Sequence, residues 1–290
     1  YEVARATFEE ADRVLGFPLA KLCFEGPEEE LKLTANTQPA ILACSLAAWE
    51  AVVANGPKPD CVAGHSLGEY SALVATGSLA LKDALRLVRR RGQYMQEAVP
   101  AGEGAMAAIV GLPLAVVNEI CQAVAVGEVL SPANLNSPEQ VVISGHTGAV
   151  NRAVEHAQAR GAKRAVLLPV SAPFHCALMK PAQERLEVDL WQTLFNELNC
   201  PLVTNVDAEP IEAAEEARDA LIRQVSAPVR WEESMRRLLA LGVTHCIEVG
   251  PGRVLSGLLR QIDRSVPCYN VEDEKSLQAT LEKFAALREG

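Results

Sequence analysis

Hydrophobic and polar residues follow two rhythms along the chain. Apolar residues recur at helical spacing over 39–54, 81–98, 231–241, 252–263 and 274–286, where side chains three and four apart share a face. The chain also opens in a helical pattern, with Val3, Ala6, Thr7, Ala11 and Val14 on one side. Short apolar runs bounded by turn residues read as buried strands at 61–64, 202–205, 244–249 and 268–270. Strands alternating with helices predict a parallel sheet covered on both faces.

The middle of the chain has a different order. A strand is expected at 104–111, a helix at 113–125, and a strand pair at 128–134 and 140–144 joined across Asn136-Ser137-Pro138. A helix over 147–160, ended by Gly161, and a last strand at 164–169 complete a βαββαβ pattern, the ferredoxin-like order. The expected architecture is therefore α/β. A large domain of residues 1–101 and 170–290 carries a small ferredoxin-like subdomain, 102–169, as an insertion.

Composition narrows the function. Of 290 residues, 49% are hydrophobic and 22% charged, the balance of a folded protein with a large core. The net charge of -10 argues against general nucleic-acid binding, which needs an excess of Lys and Arg. Eight cysteines lie scattered in apolar stretches without a C-x-x-C pair. They read as reduced, mostly buried thiols of a cytoplasmic protein, with no disulfide framework and no metal site. No run is judged long and apolar enough to cross a membrane, so neither a membrane nor a nucleic acid is expected as a partner.

Gly64-His65-Ser66-Leu67-Gly68 follows an apolar run and precedes a helical stretch at 69–76. This is G-x-S-x-G between strand and helix, a turn that lifts a serine hydroxyl onto a helix N-terminus. Ser66 is the candidate nucleophile, and the backbone N–H of Leu67 is placed to bind an oxyanion. A serine nucleophile needs a base. Of five histidines, His156 and His146 read as surface residues and His245 as a packed one, while His65 points away from its neighbour. His175 remains, in a loop where the small unit returns to the large one. A packed structural histidine is the alternative there. No acid partner stands out: Asp207, Glu248 or a backbone carbonyl could each orient the ring.

Helix 81–98 carries an anomaly. Leu81, Ala84, Leu87, Val88, Met95 and Ala98 form its apolar stripe, and Arg91 falls inside that stripe. A buried guanidinium without a partner costs about 3 to 5 kcal/mol. It should meet an anion, either an internal Asp or Glu or a substrate carboxylate held bidentately. A serine hydrolase of neutral esters has no use for such a clamp, whereas an acyltransferase for a dicarboxylic acyl group does. An esterase or thioesterase on the same Ser66 and His175 is the competing reading.

At this point the residues resemble a family, the malonyl-CoA:acyl-carrier-protein transacylases of bacterial fatty-acid synthesis. The resemblance lies in the stretch from Gly64 to Leu73, Arg91-Gly92 with Met95-Gln96, and Gly104 to Ala108. It continues through Asn134 to Val142, Ala172-Pro173-Phe174-His175, and Glu248-Val249-Gly250-Pro251-Gly252. It implies an α/β-hydrolase-like core with the ferredoxin-like insertion, and malonyl-CoA and acyl carrier protein as partners. It implies ping-pong transfer through an ester on Ser66, with His175 as base and Arg91 on the malonyl carboxylate. A CoA thioester is then a substrate, and no cofactor is expected. It further places Gln38, Asn134, Gln140, Asn205 and Gln224 in or around the pocket. In related modular acyltransferases a Phe just before the histidine goes with malonyl over methylmalonyl, which Phe174 fits. The family's N-terminal Gly-Gln-Gly-Ser-Gln loop, which supplies a second oxyanion donor, and an inner strand are expected upstream of Tyr1. The carrier protein is acidic in this family, so a local basic patch is expected, with Lys163, Arg164, Arg223 and Arg253 as candidates.

Overall fold

Short strands and longer helices build a mixed α/β protein in the computed structural model, which describes residues 1–170 and 172–289. The strands are β1 (Val62–Ala63), β2 (Gly104–Val110), β3 (Leu130–Ser137), β4 (Gln140–His146), β5 (Arg164–Leu167), β6 (Leu202–Val203), β7 (Pro210–Ile211), β8 (Cys246–Val249) and β9 (Cys268–Val271). β1 and β6 run parallel, with Val62 opposite Leu202, and β7 joins β6 antiparallel. β8 and β9 form a second parallel pair. Among the described residues the expected parallel sheet is thus two short pieces. The strands are shorter than their apolar runs because the ends are diverted. After Val203 the chain turns so that Asn205 can bond the serine turn, and β8 begins at Cys246, leaving His245 outside it.

Residues 104–167 form their own sheet in the order β3-β4-β2-β5, with antiparallel neighbours throughout. The β3–β4 hairpin turns at Pro138-Glu139, later than expected, because β3 runs on to Ser137 opposite Gln140. Helices Leu114–Val124 and Thr147–Ala159 bury Val117, Ile120, Val150 and Ala153 against Ile109 and Ile143 of the sheet. This core is separate from the larger one. The two units are nevertheless joined along β3. Val229 donates its N–H to Ala133 O and accepts from Leu135 N–H, both at 2.8 Å. Ser137 Oγ donates to Gln261 Oε1 at 2.8 Å.

The larger core is helical. Leu81–Glu97 crosses Thr34–Asn55 where Gly92 removes a side chain: a Cβ there would lie 2.6 Å from the Ala35 Cα. That close crossing sets Arg91 beside Gln38. Helix Thr34–Asn55 starts before the expected residue 39 and contains Pro39. It also corrects the expectation about membrane-length runs. At 22 residues it is long and apolar enough to span by length and composition, but half of its apolar window is buried inside the protein. Helices lying outside the runs of helical spacing include Lys180–Trp191, which follows the His175 loop, and Ala214–Gln224. The buried face of the second is carried partly by Ala217 and Ala220, and the first leaves Trp191 63% exposed, so neither shows a strong apolar stripe.

Candidate active site

β1 ends at Ala63, the chain turns through Ser66, and a helix begins at Gly68 and runs to Ala75. Ser66 has φ 51°, a left-handed conformation costing a non-glycine residue about 1 to 3 kcal/mol. Neighbours hold it there. Ser66 N–H donates to Asn205 Oδ1 at 2.6 Å, Asn205 Nδ2 donates to Gly64 O at 2.7 Å, and Gln224 Nε2 donates to Ser66 O at 2.9 Å. The two motif glycines are not equivalent. A Cβ on Gly64 would lie 1.9 Å from the carbonyl of Gly68, whereas a Cβ on Gly68 meets open space. Gly64→Ala is therefore expected to lower stability by about 3 kcal/mol or more. Gly68→Ala should stay within about 1 kcal/mol of the parent. Thermal melting of the two variants side by side checks this.

His175 is 3% exposed and also left-handed, at φ 59°. Its Nδ1 hydrogen bonds Gln224 O at 2.9 Å, which assigns the proton to Nδ1 and leaves Nε2 to accept from Ser66 Oγ at 2.7 Å. The two acid candidates lie elsewhere. Asp207 is paired with Arg223 at 2.7 Å, and Glu248 accepts the N–H groups of Leu255 and Ser256. Burial, then the charge of Arg91, pushes the His175 imidazole down to about 3, so the ring is a neutral acceptor at physiological pH.

Arg91 is 2% exposed. Nη1 donates to Gln38 Oε1 at 2.7 Å, and Nη2 donates to Gln224 Oε1 at 2.9 Å and to Ser66 Oγ at 3.1 Å. Its direct hydrogen-bond partners among the described residues are all uncharged, and the internal acid, Glu69, reaches it only through the Gln224 amide. Burial lowers the guanidinium's pKa from its ordinary value. The Tyr70 ring lies 5.6 Å from the guanidinium, and Arg91 Nε has no partner among the described residues.

Among the described residues the Leu67 N–H makes no hydrogen bond within the chain, and it precedes the helix Gly68–Ala75. Gln38, Asn205 and Gln224 thus gather on Ser66 and Arg91. Phe174, next to His175, is half-buried between the larger core and a small cluster of Met106, Ala133 and Val142 on the sheet of the small unit. Asn134 stands apart on β3, bridged to Val229, with its Oδ1 buried and without a partner among the described residues. Gln140 sits at the turn end of the hairpin, opposite Val110 and Ser137. Among the described residues its side chain makes no hydrogen bond to Ser66, Arg91 or His175.

Three contributors escaped the sequence reading. Glu69 is fully buried and bonded to Gln224 and Asn205; its acidic side chain three residues after the nucleophile was the available signal. Asn136 bonds His65 Nε2 at 2.8 Å, tying the small unit to the residue before Ser66. Tyr70 lies beside Arg91, and no local pattern marks it. The basic-patch candidates are largely compensated: Lys163 pairs with Glu139, Arg223 with Asp207 and Asp219, and Arg253 with Glu272. Arg164 is exposed at the start of β5. All eight cysteines are free thiols. Cys121 and Cys176 are buried and the other six half-buried, fewer buried than expected.

A strained serine bonded to a neutral histidine, on a mixed α/β scaffold, is the arrangement that acyl transfer through a covalent ester requires. A family model described as an acyl transferase domain matches residues 1–279. A malonyl CoA-acyl carrier protein transacylase of Escherichia coli K12 is 48% identical over 97% of this chain and 92% of its own length. That of Bacillus subtilis is 46% identical over 96% and 88%. Among solved structures, the transacylase of Coxiella burnetii superposes with a TM-score of 0.96 at 43% identity, covering 98% of this chain and 90% of its own. A structure described as a type II PKS acyl-carrier protein in complex with its malonyl-transacylase also gives 0.96, at 48% identity over 98% and 92%. The chain belongs to the acyl transferase domain family and, within it, to the malonyl CoA-acyl carrier protein transacylases.

Proposed function

We infer that this protein moves a malonyl group from malonyl-CoA to the thiol of acyl carrier protein through an ester on Ser66, supplying fatty-acid synthesis. The observation that carries this reading is Arg91. It is a buried cation held by two amide oxygens and a hydroxyl, 3.1 Å from the Ser66 Oγ. That spacing suits an acyl chain only a few atoms long, bonded to Oγ at one end and to the guanidinium at the other.

In the first half-reaction Ser66 Oγ attacks the thioester carbonyl while His175 Nε2 takes its proton. The Leu67 N–H donates to the developing oxyanion. The Gln224 carbonyl keeps the proton on Nδ1, so Nε2 is free to accept. Collapse of the intermediate breaks the C–S bond, and the imidazolium returns its proton to the departing CoA sulfur. The second half-reaction reverses these steps with the carrier protein's thiol as nucleophile. Gln38 and Gln224 hold Arg91 in place, Asn205 holds the turn, and Phe174 crowds the α-carbon beside His175. Asn134 and Gln140 line the approach from the small unit in this reading. The CoA thioester is a substrate and no cofactor takes part.

The same reading assigns residues 1–101 and 170–290 to an α/β-hydrolase-like large domain and 102–169 to a ferredoxin-like subdomain. The strand order β3-β4-β2-β5, with two helices on one face, supports the latter.

Arg91→Ala is expected to lower malonyl loading by about 10- to 100-fold, the worth of one or two charge-assisted hydrogen bonds. Acetyl loading should change far less. Intact-mass kinetics with malonyl-CoA and acetyl-CoA measure both, and equal losses would remove the clamp from the account. Hydrolysis of malonyl-CoA without carrier protein, at a rate matching transfer, would point to a thioesterase instead. The base carries a pH signature. Because His175 stays unprotonated down to about 3, the loading rate should not fall between pH 6.5 and 5. An acid limb centred near pH 6.5 in stopped-flow loading would contradict a buried neutral base.

A further inference from the structure

Glu69 has no part in the steps above, yet its carboxyl is fully buried in the site. Oε2 accepts the Asn205 N–H at 3.0 Å and Gln224 Nε2 at 2.9 Å, while Oε1 has no partner among the described residues. The other end of the same Gln224 amide accepts from Arg91 Nη2 at 2.9 Å. One amide therefore separates a buried carboxyl from a buried guanidinium. With Glu69 ionised the two charges balance. An acyl group whose carboxylate sits on Arg91 leaves two anions and one cation out of water. An extra buried ion without a partner is strongly unfavourable, and a proton on one carboxylate removes that cost.

We propose that Glu69 takes up one proton from solvent at Oε1 when malonyl is loaded onto Ser66, so that the acyl carboxylate replaces Glu69 as counter-charge of Arg91. This rests on the reading of Arg91 as the malonyl clamp. The only new bond at Glu69 is O–H, and acyl exchange between sulfur and Oγ proceeds as already written.

The surroundings single out this carboxyl. Arg91 faces it from helix Leu81–Glu97 and favours the ionised form. Asp207, beyond β6, disfavours it, but Asp207 is ion-paired with Arg223 and 46% exposed. On its own helix, burial holds the Tyr70 phenol above its ordinary range. Burial holds both His175 and His65 below their ordinary values, and His175, at about 3, stays neutral. Burial, opposed by Gln224, Asn205 and Arg91, raises Glu69 to about 7, where a new neighbouring anion changes its protonation most.

The sign follows from linkage. If the loaded state binds more protons, malonyl loading is favoured by acid. Its equilibrium constant falls as pH rises past 7, by at most about tenfold per pH unit for one site. Acetyl brings no charge and carries no such term.

The experiment measures the loading equilibrium by intact mass at fixed ratios of acyl-CoA to CoA between pH 6.5 and 8.5. Malonyl and acetyl are compared in the native protein, with malonyl repeated in E69Q. Ionisation of the released CoA thiol is common to all arms and cancels in the ratios. The malonyl-to-acetyl ratio should fall several-fold from pH 7 to 8 in the native protein, and E69Q should lose the malonyl slope. Equal slopes for malonyl and acetyl would overturn the proposal, as would an E69Q slope matching the native one. Proton uptake read with an indicator dye on native protein loaded at pH 8, where Glu69 starts mostly ionised, provides a second measurement. Zero uptake per malonyl bound overturns the proposal even if E69Q does not fold. The Arg91→Ala comparison separates the two ideas: loss of malonyl preference there, with no pH linkage in the native protein, keeps the clamp and rejects Glu69.

Discussion

Ser66→Ala is expected to abolish the malonyl adduct and to reduce transfer to acyl carrier protein by at least about 10,000-fold, the scale on which nucleophile removal acts in covalent acyl transfer. Binding should survive. Arg91 keeps its bonds to Gln38 and Gln224 in the variant, since neither depends on Oγ. Malonyl-CoA should therefore still protect the variant against thermal unfolding, to an extent set by ligand concentration. The fold should also persist, because alanine retains the backbone bonds to Asn205 and Gln224. A Ser66→Ala protein that still acquires one malonyl group on another residue would move the nucleophile elsewhere.

His175→Ala is the second large effect, about 1,000- to 10,000-fold on loading. Removing the ring takes away the only base within hydrogen-bond distance of Oγ among the described residues. It also takes away a bond to Gln224 O, whose amide side chain holds Arg91. Because Ser66 and His175 act on one proton, their losses should not add. The double variant is expected to be no slower than Ser66→Ala alone. Multiplying losses in single-turnover kinetics would mean that the two residues act in separate steps.

How much of this could be read from residue order depends on how far apart the interacting groups lie in the chain. The serine turn was legible because strand, turn and helix are consecutive and Gly64 has a local steric reason to be glycine. Arg91 was legible because helical phase alone puts it among Leu87, Val88 and Met95. The βαββαβ unit was legible because each element carries its own period. The frame around the dyad was not. Asn205 and Gln224 reach Ser66 from 139 and 158 residues away. Their place came from family resemblance, and nothing local singles them out. Glu69 looked like an ordinary first-turn acid at a helix start, a favourable position on any surface helix. Its burial arises only when Asn205 and Gln224 close over it. The sheet was overread because apolar runs such as 202–205 include residues whose backbone turns away to serve the site.

The stitching of β3 to the larger unit has a mechanical consequence. Val229 bonds on both sides of Asn134, Ser137 reaches Gln261, and Asn136 reaches His65 beside the nucleophile. Swinging the small unit outward would break all four attachments at once. A hinge motion of the small unit therefore costs these bonds together, and if turnover proceeds without one, its rate should respond little to the viscosity of the medium.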